Sequence, residues 1–113
     1  MGFEETELKL LPPLAVAVTA AALLLSTQAH ANKELAQKNA CLACHAVDKK
    51  LVGPAYIDVS KKYAGQADAL AVLTASIQKG STGKWGAVPM PGQPALSEAD
   101  AKALAAWVLG GAK

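Results

Sequence analysis

Cys41-Leu42-Ala43-Cys44-His45 is the stretch on which the reading of this chain turns. Two cysteines three positions apart, with a histidine directly after them, form the C-x-x-C-H attachment site of a c-type haem. The reason is spacing: on one helical turn both sulfurs reach the two vinyl groups of a single porphyrin, while the adjacent imidazole turns under the ring to the iron. Three alternatives use the same residue types. A structural zinc ion takes four tetrahedral N or S ligands, and outside the motif the chain has no further cysteine and one further histidine, His30. A thioredoxin-like dithiol belongs beside a βαβ pattern, and nothing here alternates as a strand would. A disulfide suits an exported protein but gives no reason for His45 to follow Cys44. The expected cofactor is one haem c, covalent through Cys41 and Cys44, with its iron on His45.

Upstream of the motif, Leu14 to Ser26 is an uncharged, mostly aliphatic run, followed by Ala29-His30-Ala31 with small residues at the two positions a signal peptidase reads. Residues 1–31 are expected to be a cleaved signal peptide, and residues 32–113 one mature domain beginning at Asn32. The alternative is an uncleaved membrane anchor, which needs about twenty apolar residues, whereas Pro12-Pro13 interrupt this stretch on its N-terminal side. The segment before the apolar run carries Glu4, Glu5 and Glu7 against the single Lys9, although a signal's leading region is ordinarily positive.

The mature chain keeps ten lysines and six acids and has no arginine. That net of about +4 falls by roughly two when the haem's propionates are counted, which leaves a mildly basic protein and no obvious nucleic-acid partner. Some eighty residues make one domain, near the size at which a chain alone buries too little surface for stability. Bulky apolar residues are few, with two tryptophans and two tyrosines, so a buried porphyrin would supply the missing core.

The pattern is helical with one loop rich in proline and glycine. Asn32 is a candidate N-cap for a first helix carrying Leu35 and running into Cys41 and Cys44, which puts the motif on its last turns. Gly53-Pro54 forces a bend. A short helix is expected over Ile57 to Tyr63, ended by Gly65. Asp68 opens the next, with Leu70, Val72, Leu73 and Ile77 largely on one face and Gly80 at its close. Ser97 with Asp100 resembles a capping box for a last helix striped by Leu104, Trp107 and Val108 and stopped by Gly110-Gly111.

The loop between the last two helices, residues 81–94, is long enough in so small a domain to be either disordered or functional. It holds Met90 between Pro89 and Pro91, which keep the backbone extended. Haem iron bound by one imidazole takes its sixth ligand from His, Met or another donor, or leaves that position open. The mature chain has no second histidine and no other methionine, so Met90 is the candidate ligand; its alternative is an apolar gap-filler. His/Met ligation leaves no open site for oxygen or peroxide and raises the reduction potential.

Cys41-Leu42-Ala43-Cys44-His45, Val52-Gly53-Pro54-Ala55-Tyr56, Ala64-Gly65-Gln66, Trp85-Gly86, Pro89-Met90-Pro91 and Trp107-Val108-Leu109 together resemble the small bacterial class I monohaem cytochromes c of the cytochrome c-551 type. The ordered set spans essentially the whole mature chain. The resemblance implies an all-α cytochrome c fold, four to five short helices around one haem, with the first and last helices crossing and Trp107 at that contact, as core. It implies that the Pro54 carbonyl accepts the Nδ1 proton of His45, fixing the ring, where the plain alternative is a turn proline. It also implies that the Trp85 indole donates to a haem propionate, the alternative again being core. Two departures stand out. Some relatives carry an arginine near the propionates at the position of Ser76, for which Lys79 and Lys84 are the nearest basic substitutes by sequence. The loop after Met90 reads one residue longer, with Gln93 near the family's asparagine that bonds the methionine sulfur.

The function these readings imply is a periplasmic single-electron carrier, not an enzyme. It would shuttle electrons from a donor such as a quinol–cytochrome c reductase to an acceptor such as nitrite reductase, cytochrome c peroxidase or an oxidase. A monomer is expected, with no stable membrane insertion after cleavage. The rivals are a haem peroxidase or gas-binding sensor with a displaceable Met90, and a tethered subunit of a respiratory complex. Lys38, Lys49, Lys50 and Lys84 are the lysines expected around the haem edge, where they would steer an acidic partner.

Overall fold

The computed structural model describes residues 32–113, and the leader expected over residues 1–31 lies outside the described residues. Among the described residues there are four α-helices, one 3-10 turn and no strand beyond two isolated bridges. Helix α1 covers residues 32–38, α2 Tyr56–Tyr63, α3 Ala69–Lys79 and α4 Glu98–Leu109.

The first helix does not run into the Cys41–His45 motif as the sequence pattern predicts. It stops at residue 38, and Cys41–Ala43 form a separate 3-10 turn. The break is at Ala40, held in the left-handed region at φ 58°, ψ 20°, a conformation that costs an L-residue roughly 1–2 kcal/mol. Local hydrogen bonds offset that strain. The Leu35 carbonyl, which a helix end would leave orphaned, accepts from Asn39 through both the backbone N–H at 3.2 Å and the side-chain Nδ2 at 2.8 Å. Beyond Ala40, the Cys41 carbonyl accepts from Cys44 at 3.2 Å and from His45 at 3.0 Å, so the motif is wound on its own turn.

Helix α2 begins one residue earlier than expected and buries Tyr56, Val59 and Tyr63, which share a face at i, i+3 and i+7. Asp58 in its first turn and Lys61 and Lys62 in its last complement the helix dipole. Helix α3 shows the expected stripe: Leu73 is buried, and Leu70, Val72 and Ile77 pack against the core. Asp68 stands at its N-cap, but the side chain makes no capping bond. Gly80 closes it at φ 82°. At the start of α4 the expected cap is present, Ser97 Oγ accepting from the Asp100 N–H at 3.1 Å.

Helix α4 is the spine of the core. Leu104, Trp107 and Val108 are buried as predicted, and Ala101 and Ala105, whose small side chains let neighbours approach, are fully enclosed. The helix packs against both α2 and α3, and Ala36 of α1 belongs to the same buried cluster. Trp107 is core, as expected. Its ring meets Tyr56 of α2 edge-on at 5.5 Å, and its indole N–H donates to the Lys113 carbonyl at 3.2 Å. Ser60 Oγ donates to the Leu109 carbonyl at 2.7 Å, joining α2 to the end of α4.

Candidate haem site

Residues from the 3-10 turn, α2, α3, α4 and the loops between them line a cavity of about 360 Å³, within the range of small-molecule and cofactor sites. Cys41, Cys44, His45, Pro54, Trp85 and Met90 all line it; these are the six residues that the sequence singles out. Val59, Leu73, Leu104 and Val108 of α2, α3 and α4 give it apolar walls.

His45 is fixed on three sides. Its Nδ1–H donates to the Pro54 carbonyl at 2.8 Å, which sets the tautomer and leaves Nε2 with a free lone pair. The loop that delivers Pro54 is pinned by the Gly53 N–H donating to the Cys44 carbonyl at 2.7 Å. Gly53 itself lies against the imidazole. A Cβ built there would sit 2.8 Å from Nδ1 and 2.9 Å from Nε2, and closer still to Cε1, so no larger residue fits without moving the ring. On the ring's remaining flank Tyr56 stacks at 5.1 Å with 18° between planes. Burial pushes the Tyr56 phenol well above its ordinary pKa, with Cys41 and Cys44 adding to the shift, so a neutral ring backs the imidazole.

The two cysteines are half-buried free thiols. Burial raises the Cys41 pKa first of all, against a backbone hydrogen bond that lowers it and with a further rise from Cys44. Among the described residues no three His, Cys, Asp or Glu side chains group to hold a metal ion, which leaves the zinc alternative without a ligand set.

Met90 is anchored through its backbone. Its N–H donates to the Ser81 carbonyl at 2.8 Å and its carbonyl accepts from the Ser81 N–H at 3.1 Å, a two-bond antiparallel bridge inside the loop. Two glycines make the approach possible. A Cβ on Gly80 would lie 2.6 Å from the Met90 carbonyl oxygen, and one on Gly92 would lie 2.7 Å from the Lys79 backbone. Gln93 N–H donates to the Ile77 carbonyl at 2.9 Å, and Gln93 also lines the cavity.

At another corner of the cavity, Lys62 Nζ lies 4.2 Å over the Trp85 ring and donates to the Lys84 carbonyl at 2.8 Å. Lys84 Nζ in turn donates to Ser76 Oγ at 3.4 Å. Of the two lysines named as substitutes near Ser76, Lys84 lines the cavity and Lys79 does not. Lys38, Lys49 and Lys50 are exposed without lining it. At the rim Val52 and Val88 are 58% and 64% exposed and line the cavity together with Trp85, an apolar mouth open to solvent.

From sequence Gly53 is expected only to bend the chain, Tyr56 and Gly80 have no expected role in the site, and the loop glycines, Gly92 among them, are expected to let the chain approach a flat ligand, whereas Gly92 lies against the end of α3. For Gly53 a signal was present: a glycine directly before a proline that is itself expected against the histidine.

The donor set fits a haem. One imidazole with its second nitrogen tied, one thioether and two thiols line a single apolar cavity, and a porphyrin would need those groups there. The comparisons with known proteins agree. The cytochrome c family model matches residues 29–112. Cytochrome c-552 of Nitrosomonas europaea is 51% identical over 90 residues, covering 80% of this chain and 87% of that protein. Cytochrome c-551 of Pseudomonas denitrificans is 53% identical over 77 residues, 68% of this chain and 93% of the relative. The crystal structure of wild-type Nitrosomonas europaea cytochrome c552 superposes with a TM-score of 0.67 at 51% identity, covering 69% of this chain and 96% of that one.

Proposed function

Since this chain belongs to the cytochrome c family, as a small class I electron carrier with one covalently bound haem c, we propose that it is an exported carrier whose iron is held between His45 and Met90. What supports the reading is the gathering of Cys41, Cys44, His45 and Met90 on one apolar cavity. Bound there, haem c supplies an iron that cycles between ferric and ferrous states by one electron. His45 would hold the iron through Nε2, oriented and made more basic by the Nδ1–H bond to Pro54. Met90 would hold the iron through its thioether, which would favour the ferrous state and leave no position open to water, oxygen or carbon monoxide. The aliphatic walls keep water from the metal, while Val52, Trp85 and Val88 leave an edge at which a redox partner approaches.

The signal peptide over residues 1–31, with cleavage after Ala31, sends the mature chain to the periplasm. Among the described residues no helix is long and apolar enough to cross a membrane. There it takes electrons from a donor of the quinol–cytochrome c reductase class and delivers them to a nitrite reductase, a cytochrome c peroxidase or an oxidase, working as a monomer. The test is to purify the exported protein. N-terminal sequencing should begin at Asn32, acid acetone should leave the haem on the polypeptide, and the ferrous form should not bind carbon monoxide. Free haem in the solvent, or a carbon monoxide complex, would overturn the reading.

A further inference from the structure

Four hydrogen bonds zip the chain around His45 to the chain that enters α2. The Gly53 N–H donates to the Cys44 carbonyl at 2.7 Å and His45 Nδ1–H to the Pro54 carbonyl at 2.8 Å. The Tyr56 N–H donates to the Ala46 carbonyl at 2.9 Å and the Ile57 N–H to the Val47 carbonyl at 3.0 Å. The last two use N–H groups that the first turn of a helix leaves without intrahelical partners, so the start of α2 is tied to the residues that follow His45. This ladder fixes where the imidazole sits and which nitrogen faces the cavity. It does not by itself stop the ring from swinging about its one hydrogen bond. Gly53 limits that motion on one side. On another lies the Tyr56 ring, centred 5.1 Å away and 18° from parallel, and turning an imidazole against a near-parallel ring drives its edge into that face.

Tyr56 has no room to retreat. Its ring meets Trp107 edge-on at 5.5 Å, the Trp107 indole is held by the Lys113 carbonyl at 3.2 Å, and both residues are buried. Helix α4 therefore backs the imidazole through two aromatic rings. We propose that Tyr56, backed by Trp107, is a positioning residue that holds the His45 imidazole in one plane in both oxidation states of the iron. This rests on the haem site proposed above. The step it serves adds one electron to the iron or removes one, with no bond made or broken. Every nuclear rearrangement between the two states raises the barrier to that step, so a ligand ring that keeps its orientation lets the electron pass faster. The clamp also adds no charge beside the ring, because burial keeps the Tyr56 phenol neutral.

The experiment follows solvent hydrogen exchange of the His45 Nδ1–H by NMR in the reduced holoprotein, for the wild type, Tyr56→Phe and Tyr56→Leu. The Leu104 amide of α4 reports global opening in the same samples. Aromatic contacts of this class favour one arrangement by roughly two- to twelvefold. Tyr56→Leu should therefore speed exchange at Nδ1 by roughly two- to twelvefold more than at the Leu104 amide, and should lower the rate of electron self-exchange. Tyr56→Phe keeps both ring contacts and should behave as the wild type. Equal acceleration at Nδ1 and at Leu104 in Tyr56→Leu, an unchanged self-exchange rate, or a Tyr56→Phe that matches Tyr56→Leu overturns the proposal. The wild type supplies a check that does not depend on Tyr56→Leu folding: nuclear Overhauser contacts between the Tyr56 and His45 rings should be present in both oxidation states, and their loss in either overturns the proposal while leaving the haem site standing. A wild-type protein without covalent haem overturns the site itself.

Discussion

His45 and Pro54 are joined by a 2.8 Å hydrogen bond from the ring Nδ1–H to the proline carbonyl, and the intervening chain returns so closely that Gly53 lies against the same ring. The bond sets which nitrogen faces the cavity, and the missing side chain at Gly53 lets it form. The imidazole that we propose as an iron ligand is thus oriented by two backbone features with no charge of their own.

Gly53→Ala should therefore damage the site more than its size suggests. The added Cβ must push the imidazole, and overpacking of this kind costs about 1–3 kcal/mol. The ferric spectrum should show disturbed axial ligation, with a lower denaturation midpoint. Gly65→Ala is the comparison. Gly65 has φ 76° and nothing near its missing side chain, so it should lose about 1 kcal/mol from backbone strain alone and keep the wild-type spectrum.

Met90→Ala should leave the iron high-spin or water-ligated, lower its potential and open the ferrous form to carbon monoxide. Gly92→Ala should do the same in part, because its Cβ would strike the end of α3 and lift the loop that carries Met90. Titration with carbon monoxide separates the two: stoichiometric binding for Met90→Ala, weaker binding for Gly92→Ala. A ferric spectrum of Met90→Ala identical to the wild type would remove Met90 from the iron.

The helices were legible because local signals and burial agreed. Ser97 with Asp100 announced the start of α4, Leu104, Trp107 and Val108 its buried face, and Gly65 and Gly80 the ends of α2 and α3. Spacing pointed to Cys41, Cys44 and His45, elimination to Met90, and the family resemblance to Pro54 and Trp85; all six line one cavity. The break at Ala40 was not, since alanine favours helix and the left-handed turn depends on Asn39 capping Leu35 and on the winding of the motif behind it. Nor were the roles of Tyr56, Gly80 and Gly92. Each depends on a contact between segments distant in sequence, and a glycine that ends a helix looks the same whether or not another strand of backbone lies against it.

Ser97→Ala should cost about 1 kcal/mol by removing the cap of α4, and Leu104→Ala about 2–5 kcal/mol by opening a hole beside the cavity. Urea unfolding checks both. The potential should stay at its wild-type value in Ser97→Ala, whose side chain does not line the cavity.

Cys44→Ala should leave one thioether and one unreacted vinyl group. The pyridine complex of the reduced haem should then absorb at longer wavelength than that of the doubly linked protein, with haem still attached after acid acetone. Replacing both Cys41 and Cys44 should release it. Retention of haem in the double variant would show that attachment runs through other residues.

The most direct test of His45 and Met90 as the iron's two protein ligands is the visible and near-infrared absorption spectrum of the purified protein in both oxidation states, repeated under carbon monoxide. A low-spin ferric spectrum carrying a sulfur-to-iron charge-transfer band that disappears in Met90→Ala, with a ferrous spectrum unchanged by carbon monoxide, is the predicted result. A high-spin ferric spectrum, or a ferrous carbon monoxide complex in the wild-type protein, would contradict it.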